Sequence, residues 1–318
     1  MFNPSTQPRI LFATPEVTFI PVGSGNHSDY INSRSEGFAG FLSNLVGDLY
    51  ERGADVHITQ PDYRKVFTDI IQNSCNIAVR KMPKCRVHLT EDRTFFYANN
   101  PESNYKWENI KISLAFQREV INHILPLVQP DLIHCHNWMT GLIPAIARVS
   151  RIPCIFTVQN LDTGKSQLSI IEDLGIDAAA FWQQLFFDRF PANYEETRET
   201  NPIDFLLSGI FAANFVSVAE PAFAGEMNKD RSPYSELLNQ ILVEKLKSGS
   251  ADVNRNTSVD AKQYFDLYER MLQRPLIKIK TDKFEVHTDF PHRGKKINKA
   301  YNKDQVSSGN FSPLVLSV

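Results

Sequence analysis

The chain has 318 residues, 42% of them hydrophobic, a formal net charge of −2 and four cysteines. That is apolar material for one large domain or two modest ones, and the near-neutral balance gives no preference for nucleic acid or for a membrane surface. No basic segment followed by an apolar one opens the sequence, no apolar run approaches a bilayer span, and Cys75, Cys85, Cys135 and Cys154 show no paired spacing, so a soluble cytoplasmic protein with reduced thiols is expected.

In chain order, residues 9–13 read as a buried first strand ended by Thr14-Pro15-Glu16. Residues 17–35, rich in Gly, Ser, Asn and Pro, suit a loop over the carboxyl edge of a sheet. Phe38, Phe41, Leu42, Leu45, Val46 and Leu49 then recur at helical spacing until Gly53, and residues 55–58 make a second strand. Gly23-Ser24-Gly25 lacks the third glycine and the following helix of a dinucleotide fingerprint, and no cofactor is expected. Residues 86–90 and 94–97 alternate as a hairpin-like pair of strands, and 109–125 form an amphipathic helix.

The organising stretch is 130–161. A short apolar run, Leu132-Ile133, leads into His134-Cys135-His136, followed by the helical stripe Leu142, Ile143, Ile146 and Val149, the stop Ile152-Pro153 and a second buried run, 154–158. Two strands joined by one helix form a right-handed parallel crossover. The polar groups at their ends, His136-Asn137-Trp138 and Gln159-Asn160, should therefore emerge side by side, on the edge where open α/β sheets bind ligands. Alternation puts His134 and His136 on one face and Cys135 on the other, so no metal site is expected. Further on, 168–175 and 178–187 read as helices, 190–200 as a polar connection, 202–211 as a helix and 215–218 as the last strand.

The segment PDLIHCHNWMTGL with PCIFTVQNL resembles the DVVHAHDWHTGL…PTVFTVHNL signature of bacterial glycogen (starch) synthases, the family 5 glycosyltransferases. Residues 9–17 with 37–61 are similar to the opening strand, loop, helix and strand of that family, and 201–223 to its FLxxGIxxAxxVxxVSPTF run. The resemblance implies an α/β, Rossmann-like three-layer domain with a parallel sheet, the N-terminal half of a GT-B glycosyltransferase. It also implies transfer of glucose from ADP-glucose or UDP-glucose to an α-1,4-glucan. The matching site residues are Arg34 and Gly37 in the phosphate loop, Tyr97 in the cleft, and His136, Asn137, Trp138, Gln159 and Asn160 at the strand ends.

Several of these positions depart from the family's pattern. Its Lys-x-Gly-Gly-Leu-Ala-Asp loop is matched here by residues 34–40, with Arg34 keeping the cation but Glu36 replacing the first glycine and Gly40 the aspartate. A carboxylate where two phosphates sit adds like-charge repulsion, which weakens the expected hold on a sugar nucleotide. Asn137 stands where the family has aspartate, and Gln159 where it has the histidine that binds the transferred glucose. No catalytic residue is therefore assigned with it. Neutral amides beside an aromatic suit sugar hydroxyls and ring faces.

After about residue 247 the family's second domain is expected and instead 248–257 reads as a Gly/Ser/Asn linker leading into 258–277, which is similar to the family's terminal crossover helix. Residues 278–318 carry eight Lys or Arg against four acidic side chains and read as a flexible basic tail. The expected organisation is a domain over 1–247, linker 248–257, helix 258–277 and tail 278–318. Two functions follow: a synthase-type glucosyltransferase that is incomplete alone, needing a second chain for its missing domain, or a non-catalytic glucan-binding or synthase-partner module.

Overall fold

The computed structural model describes residues 8–15, 38–63, 84–96, 106–219, 233–254 and 261–273. Strands β1 (Arg9–Ala13), β2 (Asp55–Pro61), β3 (Val87–Thr90), β4 (Leu132–His136), β5 (Cys154–Val158), β8 (Phe215–Ala219) and β9 (Ala251–Asn254) form one seven-stranded sheet in the order β3-β2-β1-β4-β5-β8-β9. Every pairing in it is parallel. The remaining two, β6 (Lys165–Ser166) and β7 (Ile203–Asp204), pair antiparallel beside it. Strand order reverses between β1 and β4, so a crevice opens at their carboxyl ends.

Helices cover both faces, because each buried strand presents apolar side chains to both sides. On one face Ile10, Phe12, Val56, Ile58, Leu132 and Ile155 pack under helix α1 (Phe38–Glu51) and the last described helix, Ala261–Leu272. On the other, Leu11, Ile133, Cys135, Phe156, Val158 and Val216 pack under Lys106–Glu119, Ile143–Val149, Phe205–Ala212 and Pro233–Lys247. This is the expected three-layer, Rossmann-like α/β arrangement. The helix Lys106–Glu119 passes through a π-turn at Val120–Ile124 into Leu125–Val128, where Gln129 at φ 49° ends it.

The structure corrects four local readings. Of the stretch read as a second strand, residues 94–96 do not pair with 86–90, and Tyr97 lies outside the described residues. Val87–Thr90 joins the main sheet beside β2, and Arg93–Phe96 is a short helix whose Thr94 N–H donates to Asp92 Oδ1 at 2.7 Å, an N-terminal cap that outweighs strand propensity. Residues 178–187 are two 3₁₀ turns, Ala178–Ala180 and Trp182–Gln184, ending in a bridge from Phe187 to Ile203. Phe181, Leu185 and Phe187 are all buried, and on a regular helix Phe187 would point well away from the face shared by Phe181 and Leu185. Within 190–200, Tyr194–Thr200 is helical, capped by the Asn193 side chain. Finally, the stretch read as the linker 248–257 supplies β9, and residues 215–218 are not the last strand. A sheet edge needs backbone hydrogen bonds more than apolar side chains, so its polar composition concealed it.

The terminal helix docks. Tyr264, Phe265, Leu267 and Tyr268 are buried against the α1 face, while Lys262, Gln263, Asp266 and Arg270 are exposed. Residues 278–318, read as a tail, lie outside the described residues. No described helix is long and apolar enough to cross a membrane.

Candidate functional site

The carboxyl ends of β4 and β5 lie side by side, with His136 paired to Thr157 and the Asn137 N–H donating to Thr157 O at 3.2 Å. His134 and His136 do share a face, their rings 4.2 Å apart, and Cys135 points to the other side, its Sγ 3.9 Å from that of Cys154. Both histidines are fully buried. His134 Nδ1 meets the Tyr268 hydroxyl and its Nε2 the Thr157 hydroxyl, each at 2.7 Å, and His136 stacks on Phe12. Burial holds both imidazoles neutral, lowering His134 well below its ordinary value and His136 to about 3.

His136 and Trp138 are therefore not at the rim where the sequence reading put them. Trp138 is 8% exposed, packed against Phe205 and over Gly164, and starts a 3₁₀ turn (Trp138–Thr140) whose residues are all buried. It anchors that turn to the helix Phe205–Ala212. The large indole gains more from the core than from the rim. Gly141 follows, where an added Cβ would lie 2.0 Å from Phe205 O. Gly141→Ala is expected to lower stability by about 3 kcal/mol through this clash with backbone, read as a fall in melting temperature; an unchanged value would show that the two elements are not locked together.

What remains at the edge is an amide pair. Asn137 Nδ2 donates to Gln159 Oε1 at 3.0 Å, and Asn137 Oδ1 accepts from Met139 N at 3.1 Å. Gln159 Nε2 is shielded from solvent and makes no hydrogen bond. Asn137 has φ 71° and ψ 153°, a region nearly reserved for glycine. Its carbonyl is held by both Thr140 N–H and the Thr140 hydroxyl. Asn160 is partly exposed and closes a turn, its Nδ2 donating to Asp162 Oδ2 at 2.9 Å.

Against this geometry, the sequence profile of the starch synthase catalytic domain matches residues 9–244. The chain belongs to that family. It is 23% identical over 262 residues to a glycogen synthase of Exiguobacterium sibiricum, covering 74% of this chain and 49% of that protein. It is 28% identical over 252 residues to a glycogen synthase of Cellvibrio japonicus, covering 71% and 48%. The catalytic domain of starch synthase IV from Arabidopsis thaliana, solved with ADP and acarbose, superposes with a TM-score of 0.50 at 17% identity, covering 79% of this chain and 52% of that one. At that identity the likeness shows the fold. The chain spans about half the length of the curated relatives it matches.

Within this starch synthase domain, Arg34, Gly37 and Tyr97 lie outside the described residues, so the structure brings together Asn137 and Gln159 with Asn160 next in sequence. It also adds a group that the sequence reading missed. Asp204, 1% exposed, caps the helix Phe205–Ala212 through Leu207 N and accepts from the Thr163 hydroxyl at 2.8 Å, with the Tyr234 hydroxyl at 3.4 Å. Burial raises its carboxyl pKa, against the pull of these hydrogen bonds. An N-cap aspartate ahead of an apolar run is a helix-start signal that reading the helix from Pro202 passed over.

Proposed function

We propose that this domain is the glucan-facing wall of a glycogen or starch synthase-type glucosyltransferase, which moves glucose from a sugar nucleotide to an α-1,4-glucan. Family membership supports the reaction class. The observation that carries the glucan-facing role is the neutral Asn137–Gln159 amide pair at the end of two adjacent parallel strands. Amides with both donor and acceptor capacity match sugar hydroxyls, and no cation of the described residues is bonded to this pair to favour a phosphate there. Arg34 and Gly37 are proposed to face the donor, with Glu36 opposing its phosphates.

Transfer needs donor and acceptor held together, and positioning with electrostatics supplies most of the rate. The described residues make one such sheet, so the opposing wall would come from further polypeptide or a second chain, and the 318-residue chain is expected to hold glucan without turnover. Electrophoresis through glycogen-containing gels should retard it. Incubation with radiolabelled ADP-glucose or UDP-glucose should leave glycogen unlabelled. Equal mobility with and without glycogen would remove the glucan-facing role, and label appearing in glycogen would show the chain to be self-sufficient.

A further inference from the structure

Two cations meet at the end of one helix, on the edge of the sheet opposite the candidate site. The helix Phe205–Ala212 closes at Ala213 and the chain runs directly into β8, so its C-terminus lies at the amino edge of the sheet. The last carbonyls of a helix have no partner within it and carry the negative end of its dipole. Here the Phe211 carbonyl accepts from Arg148 Nη1 at 3.3 Å, and the Ala213 carbonyl accepts from Lys245 Nζ at 2.7 Å. Arg148, on the helix Ile143–Val149, is exposed, with its guanidinium 6.0 Å from the centre of the Phe211 ring. Lys245, on the helix Pro233–Lys247, is half-buried. Among the described residues neither cation is bonded to a carboxylate. Glu244, next to Lys245 in sequence, is paired with Lys247 at 2.8 Å, and Phe205–Ala212 carries no charged side chain. Loss of water around the ammonium, then repulsion from Arg148, lowers Lys245 to about 8, against an opposing effect of Cys154 at the start of β5. An amine dried and set beside a second cation is the arrangement that makes a lysine nucleophilic.

We propose that Lys245 is a reversible carbamylation site for dissolved carbon dioxide, with Arg148 as the counter-ion of the product. The lone pair of the neutral Nζ attacks the carbon of CO2. An N–C bond forms, one C–O π bond opens onto oxygen, and one proton leaves the nitrogen for solvent, so amine and CO2 give a carbamate and H⁺ with nothing oxidised or reduced. The nitrogen keeps one N–H, which is what the Ala213 carbonyl requires, and the new carboxylate gives Arg148 the anionic partner it lacks among the described residues. An acyl donor fits less well, because its amide product is neutral and leaves Arg148 as it was. The negative end of the helix opposes the new charge, so the carbamate depends on Arg148 to hold it. This site stands apart from the glucan-facing role proposed above and does not rest on it.

The test traps the carbamate on the full 318-residue chain. The protein is held at a fixed concentration of dissolved ¹³C-labelled CO2 and treated with triethyloxonium, which ethylates a carbamate oxygen, and the label is placed by peptide mass spectrometry. Lys245 should carry it, and Lys247, exposed and paired with Glu244 on the same helix, should not. At constant CO2 the label should rise with pH through about 8. Arg148→Gln, with its circular dichroism spectrum unchanged, should cut the label about fivefold, the worth of one partly exposed ion pair. Carbon NMR reads the same adduct without trapping, as a carbamate resonance that Lys245→Arg removes. A wild-type chain with no label on Lys245, label spread evenly over the exposed lysines, or label indifferent to Arg148→Gln would each overturn the proposal. The first two results are read on the wild type alone, so a variant that fails to fold does not shield it.

Discussion

Acidification from pH 7 to pH 4 is expected to cost this domain several kcal/mol of stability. Four histidines are held neutral by burial. His136 is lowered to about 3 and His88 to about 4, and His134 and His57 are also lowered. His57 Nδ1 and His88 Nε2 share a hydrogen bond at 2.9 Å, with the Arg86 guanidinium against the other side of His57 and the Asp55 carboxylate bonded to Arg86. The unfolded chain protonates its histidines near pH 6.5 while the folded chain does not, so below that point the unfolded state binds more protons. The stabilisation is complete above about pH 6.5 and is lost as pH falls toward the folded values.

At 1.36 kcal/mol per pH unit, His136 and His88 each account for about 3 kcal/mol by pH 4, against a total stability on the order of 5–15 kcal/mol. Asp204, with its raised carboxyl pKa, works the other way and returns part of this. Asp92, lowered by Thr94 and Arg118 against the opposing effect of burial, contributes only at still lower pH. Thermal melts at half-unit steps of pH read the effect. A melting temperature that is level from pH 7 to 4.5 would rule it out, and His88→Gln should flatten the acid limb.

Phe265→Asp is expected to lower the melting temperature by on the order of 10 °C. Phe265 sits with Tyr264, Leu267 and Tyr268 in the apolar cluster formed by α1 and strands β1, β2, β4 and β5. Truncating a buried phenylalanine costs roughly 3–5 kcal/mol before any penalty for the buried carboxylate, and a domain of this size loses about 2–4 °C per kcal/mol. The helix also carries polar anchors: the Tyr268 hydroxyl meets His134 Nδ1, and the Tyr264 hydroxyl lies 3.0 Å from Ser217 Oγ. Tyr268→Phe isolates the first of these and should cost about 1–3 kcal/mol, since it strips a fully buried imidazole nitrogen of its partner. Removal of residues 255–318 should destabilise the domain more than either substitution. If the melting temperature and protease pattern survive that removal unchanged, the docking contributes nothing.

Local pattern was enough for strands β1, β2, β4, β5 and β8, for α1, for the crossover unit 130–161 and for the amphipathic terminal helix. In each, apolar spacing over a few residues already states which face is buried. The polar strand β9 and the short helix Arg93–Phe96 were not visible that way. One is made by pairing with β8, and the other by a single cap from Asp92.

At the candidate site the sequence by itself determined which residue types stand at the ends of β4 and β5, that the two strand ends are adjacent, and that His134 and His136 face away from Cys135. These follow from side-chain alternation and from the handedness of a crossover, which need no distant partner. Only the tertiary structure decided which of those residues stay at the sheet edge. His136 and Trp138 are removed from the rim by Phe12 on one face of the sheet and by Phe205 on the other, residues 124 and 67 positions away in the chain. The polarity of the Asn137–Gln159 pair is set by a backbone N–H at Met139 and by a turn that Asn137 enters with positive φ. A side chain's type is written in one position, whereas its burial and the direction of its hydrogen bonds are properties of whatever packs against it.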